Sequence, residues 1–141
     1  MEYQQTAQPK LFIGIDIHKR SWKVHCATDL FAGKSLSMSS DPEQLRRYVS
    51  KHFPDYEVST AYEAGCCGYY AHRCFEGYGW RSLVVNPADI HRKGKEKHTK
   101  TDRIDAQLIA RELKDGRLES IVVPDIEREE LYQDAVVVFR Y

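Results

Sequence analysis

No stretch of the 141-residue chain holds the ~20 consecutive apolar residues that cross a bilayer, so no membrane-spanning helix is expected. The first ten residues are polar and lack the apolar core of a signal peptide, which makes the cytosol the expected compartment. Charge of one sign is missing too: Lys plus Arg equals Asp plus Glu at 21 each, so the net balance alone does not advertise a polyanion partner. The four cysteines, Cys26, Cys66, Cys67 and Cys74, contain no C-x-x-C pair. Adjacent cysteines rarely bridge, because a disulfide wants well-separated Cα atoms, so reduced thiols are expected rather than a disulfide framework. No spacing joins these thiols to His25 or His72 as a zinc site. Internal repeats and low-complexity segments are also absent.

What remains is a chain of single-domain size with room for a real core. Residues 1–10 read as a disordered lead. Residues 11–18 alternate, with Leu11, Ile13, Ile15 and Ile17 on one face and Phe12, Gly14, Asp16 and His18 on the other, as in a strand. Further strands are expected at 21–28 and 34–39, close enough to form an antiparallel meander. Asp41-Pro42-Glu43 opens a helix carrying Leu45, Tyr48 and Val49, which Pro54 ends. A strand at 57–63, a helix from Gly65 to about Glu76 and a strand at 80–85 follow. A helix over 101–114 is stopped by Asp115-Gly116. Tyr69, Tyr70 and Trp80 read as core and helix-face aromatics rather than as base-stacking platforms. This order predicts an α/β fold with a mixed sheet flanked by helices, matching the ribonuclease-H-like arrangement.

Four carboxylates carry the chemistry. Asp16 and Glu63 end apolar strands that the fold would set side by side, where acids are costly without a cationic neighbour. Asp102 and Asp105, at i and i+3 on the expected helix, share a face and can close over the same point. An oxygen-only set of this kind suits two Mg²⁺ or Mn²⁺ ions, and so phosphodiester chemistry by the two-metal route. Each acid alone has an ordinary explanation in a turn, a cap or an ion pair; the joint pattern is what points to a site. Before the Asp102/Asp105 pair lie Arg92, Lys93, Lys95, Lys97, Lys100 and Arg103, against only Glu96 and Asp102. Charge runs are usually solvated loops, but beside a metal site this one is a candidate phosphate clamp. His18, Lys19 and Arg20, directly after the first strand, are placed to meet a phosphate or simply to form a polar turn.

The segments Phe12-Ile13-Gly14-Ile15-Asp16-Ile17-His18-Lys19, Tyr62-Glu63-Ala64-Gly65, Val84-Val85-Asn86-Pro87 and Lys100-Thr101-Asp102-Arg103-Ile104-Asp105-Ala106 resemble the N-terminal domain of DEDD transposases of the insertion-sequence-110 group. The similarity runs over about 11–124. It implies a RuvC-like catalytic domain at 11–124, with metal-binding acids at Asp16, Glu63, Asp102 and Asp105. It also implies an enzyme that cuts and rejoins DNA in the prokaryotic cytosol or nucleoid. Assembly as a homodimer or tetramer and a structured guide RNA are further implications. Members of the group carry a C-terminal domain whose serine is the nucleophile. This chain stops at Tyr141, and 125–141 is expected to begin the connection toward that absent domain. DNA-binding roles are expected for Lys19, Arg20, Arg92, Lys93, Lys95, Lys97, Lys100 and Arg103.

Two other readings stand beside this one. Ile13-Gly14-Ile15-Asp16 also begins actin-like ATPases, although those want a glycine- and threonine-rich phosphate loop where this chain has His18-Lys19-Arg20-Ser21. Alternatively the chain is a non-catalytic piece that binds nucleic acid or dimerises with an intact transposase.

Overall fold

The computed structural model describes residues 8–31, 33–65, 68–88, 90 and 105–124. Lys10–Ile17 (β1), Ser21–Thr28 (β2) and Lys34–Ser39 (β3) form the expected antiparallel meander. Pro42–His52 (α1) leads to Glu57–Glu63 (β4), then Tyr70–Gly77 (α2), Arg81–Val85 (β5) and Ala106–Lys114 (α3). The strands lie in the order β3-β2-β1-β4-β5, with β4 parallel to both β1 and β5. The chain thus has the mixed five-stranded α/β sheet of the ribonuclease-H-like type, with β1 at its centre. None of the described helices is long and apolar enough to cross a membrane.

Strand alternation sorts the side chains into two layers. Leu11, Ile13 and Ile15 of β1, Trp22, Val24 and Cys26 of β2, and Val58 and Tyr62 of β4 pack with Leu45 and Val49 of α1 and Ala71 and Phe75 of α2. The opposite face gathers Ala61, Leu83 and Val85 with Ile109 and Leu113 of α3 and with Leu118; Phe12 packs against them. A full large side chain so buried contributes about 1.5–3 kcal/mol. α1 starts where its sequence says it should: Asp41 caps it, its carboxylate accepting from the Glu43 N–H at 3.0 Å, with Pro42 in the first turn.

Two helices begin later than the sequence suggests. α2 starts at Tyr70 rather than Gly65. The Tyr62 hydroxyl donates to the Gly68 carbonyl at 3.2 Å and accepts from the His72 N–H at 3.2 Å, so this buried ring anchors the preceding turn. Gly68 has φ +68°, a left-handed value that ends any helical path through it. α3 starts at Ala106, with Asp105 as its extended cap. Asp105 is therefore the cap and not a residue of the helix body, while Asp102, with which a shared helix face was expected, lies outside the described residues. Residues 101–104 lie outside the described residues, as do 1–7 of the expected disordered lead and the tail 125–141. The end of that lead is ordered instead: Lys10 opens β1, and the Pro9 carbonyl accepts from the Glu57 N–H at 2.8 Å. Beyond the Gly116 stop (φ +71°), the chain returns along β5, where the Ile121 N–H donates to the Val84 carbonyl at 2.8 Å.

Candidate active site at two parallel strand ends

Gly14 decides how close α3 can come. A Cβ built on Gly14 would lie 2.2 Å from the Ala106 carbonyl oxygen and 2.4 Å from the Ala110 nitrogen. The helix backbone therefore rests on the strand backbone, and Ala106 and Ala110, four residues apart, are the small side chains that permit it. Gly14 is thus a packing glycine.

Two residues along the same face of β1 stands Asp16. In the parallel pairing, Gly14 lies beside Ala61 and Ile15 beside Tyr62, so the next step brings Asp16 beside Glu63. Neighbouring strands are separated by about 4.8 Å. Both acids line one pocket of about 270 Å³, together with His18, Gly65, Gly68 and Ile109 of α3. The sheet order thus unites two residues 47 positions apart in sequence. His18 Nε2 lies 3.3 Å from an Asp16 carboxylate oxygen, and the Asp16 side chain is 22% exposed. On the other flank of Asp16 its antiparallel partner is Lys23, an exposed cation on the same sheet face. Sequence reading passed over Lys23 because only the register, not the spacing, sets it beside Asp16.

Asp105 is exposed at the start of α3, where one carboxylate oxygen accepts from the Leu108 N–H at 2.9 Å. The pocket's contact with α3 is through Ile109, one turn further on. Asp102 lies outside the described residues, as do Arg92, Lys93, Lys95, Lys97, Lys100 and Arg103. Lys19 and Arg20 are exposed in the tight turn after β1, which the His18 N–H closes onto the Ser21 carbonyl at 3.0 Å. Lys19 borders a second pocket on the opposite face of the sheet.

Two carboxylates one strand spacing apart repel each other, and a hard divalent cation is the group that relieves this while using their oxygens. The donor chemistry of Asp16 and Glu63 fits Mg²⁺ or Mn²⁺. Among the described residues, no cluster of three or more His, Cys, Asp or Glu side chains is gathered around one point. Neither of the two described thiols lines this pocket. Cys26 is buried in the other layer, where burial pushes its thiol up to about 12, and Cys74 is likewise unbridged. Tyr70 is a helix-face rather than a core aromatic: it is 68% exposed at the start of α2.

A family model described as Transposase, of the DEDD insertion-sequence-110 group, matches residues 13–137. Among named proteins, the chain is 32% identical over 122 residues to "Putative transposase y4qE" of Sinorhizobium fredii, covering 84% of this chain and 31% of that protein. It is 26% identical over 117 residues to "Putative transposase y4rJ" of the same organism, covering 73% of this chain and 29% of that protein. The chain thus spans about a third of the length of the curated relatives it matches. With the mixed sheet, the strand-end acids and a match over most of its length, the chain belongs to the insertion-sequence-110 family of transposases.

Proposed function

We propose that this chain is the metal-dependent catalytic domain of a transposase that cuts and rejoins DNA strands, with Asp16, Glu63, Asp102 and Asp105 as its acidic set. The observation that carries the reading is the meeting of Asp16 and Glu63 at adjacent parallel strand ends, opening on one pocket against α3. Two divalent ions, Mg²⁺ or Mn²⁺, supply Lewis-acid polarisation of the scissile phosphate and activation of the attacking oxygen when bound. The protein's own part is positional. β1 and β4 fix Asp16 and Glu63 to the rigid sheet, and the Gly14 contact sets α3, and with it Asp105, against β1. His18 braces the Asp16 carboxylate, and Lys23 and Lys19 flank it on either face as phosphate contacts.

Arg20 and the basic run of Arg92, Lys93, Lys95, Lys97, Lys100 and Arg103 would add sequence-independent grip on the backbone. In this reading the nucleophile is a serine hydroxyl from a further domain, in keeping with the threefold greater length of the relatives. A guide RNA and a homodimer or tetramer would complete the assembly, leaving base pairing to choose the target. The turn His18-Lys19-Arg20-Ser21, closed on itself by a backbone hydrogen bond, supports this reading over an actin-like ATPase, which needs a phosphate loop at that point.

Strand cleavage and joining by the longer protein is the test. Amide substitution at all four acids together (Asp16→Asn, Glu63→Gln, Asp102→Asn, Asp105→Asn) is expected to abolish both steps while DNA binding persists. Undiminished DNA processing in that variant would refute the assignment. Persisting nucleic-acid binding with no metal dependence, and no cleavage when the further domain is supplied, would instead indicate a non-catalytic binding or dimerisation role.

A further inference from the structure

The end of β1 is a wall with a pocket on each side. Ile17, His18 and Tyr62 line both the acidic pocket and a second one of about 170 Å³ on the α1/α2 side of the sheet. This second pocket has an apolar floor, Trp22 at 3% exposure and Ala71 at 7%, and an aromatic rim, Tyr70 at 68%. Lys19 stands beside it, its backbone pinned by the Ser40 hydroxyl, which donates to the Lys19 carbonyl at 3.1 Å. An exposed aromatic residue at the rim of an apolar floor, with a cation at the edge, suits a flat π-system attached to an anion. A nucleotide has that form: the base is flat and aromatic, and its phosphate lies one sugar away.

The geometry points to the Tyr70–Lys19 pocket as a binding site for one unstacked nucleobase of the DNA strand whose phosphate reaches the acidic pocket. This inference rests on the proposed phosphodiester chemistry and adds a substrate requirement to it. The strand must be single-stranded or locally unpaired next to the reacting phosphate, because a base inside a duplex cannot turn its face to Tyr70. Aromatic stacking tolerates any base, so the pocket would grip without reading sequence. The shared wall explains why one strand end serves both functions: Asp16 faces the acidic pocket, while Ile17 and His18 border both.

The test titrates the full chain, in chelator so that metal plays no part, into a short oligodeoxythymidine carrying one 2-aminopurine. The fluorescence of that base is quenched when it stacks on an aromatic ring. Saturable quenching is expected with the single strand and none with the corresponding duplex. Tyr70→Ala should remove the quenching and weaken binding roughly 5- to 150-fold, the range for loss of one base–aromatic stack. Tyr70→Phe keeps the ring and should keep the quenching. Lys19→Ala should weaken binding and lower the salt slope by about one counterion, with quenching retained at saturation. Because Tyr70 is exposed, the alanine variant is expected to melt like the parent, which circular dichroism checks. No quenching by the parent chain, or quenching unchanged in Tyr70→Ala, would overturn the inference. Failure of the catalytic reading would look different: quenching would stay intact while metal-dependent cleavage by the longer protein survived amide substitution of the acids.

Discussion

The two faces of the sheet are built to opposite rules. On the α1/α2 face large side chains interlock: Phe75 meets Trp22 edge-on with centroids 6.0 Å apart and stacks on Trp80 at 5.4 Å, above a floor of Leu11, Ile13 and Ile15. On the α3 face the central contact is between backbones, made possible by Gly14, Ala106 and Ala110. The first face gains stability from buried apolar area. The second gives up side-chain volume for closeness, and both strand-end acids lie on that side. A bulky layer there would lift α3 away from β1. One side of the sheet thus holds the domain together, while the other sets distances.

Breaking the bulky face should cost the most stability and the least site geometry. Phe75→Ala is expected to lose about 3–5 kcal/mol in urea unfolding, the usual range for a buried phenylalanine. Metal affinity measured below the new unfolding midpoint should be near that of the parent. A large loss of affinity in the folded variant would mean that the two faces are not separable.

Gly14→Ala attacks the other face with a single methyl group. It is expected to cost about 1–3 kcal/mol, as overpacking does, and also to weaken metal binding, because backbone rather than a flexible side chain must move. Stability lost with metal affinity intact would show that α3 need not sit so close for the site to work.

Asp105 separates capping from ligation. Asp105→Ala removes the acceptor for the Leu108 N–H and should cost about 0.5–2 kcal/mol. Asp105→Asn keeps a capping oxygen and should melt close to the parent while binding metal more weakly. Equal metal affinity in parent and Asn variant would leave Asp105 as a cap alone.

The smallest effect is in pH dependence and belongs to the bulky face. Burial holds the His72 imidazole below its ordinary value, and its Nδ1 lies 2.8 Å from the Ser82 hydroxyl. A depressed histidine binds its proton more readily unfolded than folded. Its contribution is therefore complete above the unfolded value near 6.5 and declines as pH falls toward the lower folded value. Urea unfolding from pH 7.5 to 5 should show that slope flattened in His72→Gln. An unchanged slope would place the titration elsewhere.

The contrast between faces also explains what was legible in the sequence. Period-two alternation in residues 11–17 and 57–63 revealed β1 and β4, and short turns revealed the meander, but the parallel pairing that sets Asp16 beside Glu63 followed only once the element order was matched to the ribonuclease-H-like layout. The α1 start was readable because its signal is local, in Asp41 and Pro42. The starts of α2 and α3 were not. The first depends on the Tyr62 hydroxyl bonding to Gly68 and His72, tertiary contacts that outweigh helical spacing. The second depends on Asp105 serving as the cap, and spacing alone does not distinguish a capping aspartate from a first-turn one. Gly14 left a fainter trace: a glycine inside an apolar strand, and alanines four apart on a later helix, are complementary only once the pairing is known. Tyr70 was left between core and helix face for the same reason, since helical spacing shows a face but not whether anything covers it.

The most direct test of the account is calorimetric titration of Mn²⁺ and Mg²⁺ into the chain and into Asp16→Asn. Metal binding needs neither a serine domain nor a guide RNA. The account predicts saturable binding to the parent chain that is lost in Asp16→Asn while the fold persists. Equal binding by both proteins, or none by the parent, would contradict an acidic metal site at the ends of β1 and β4.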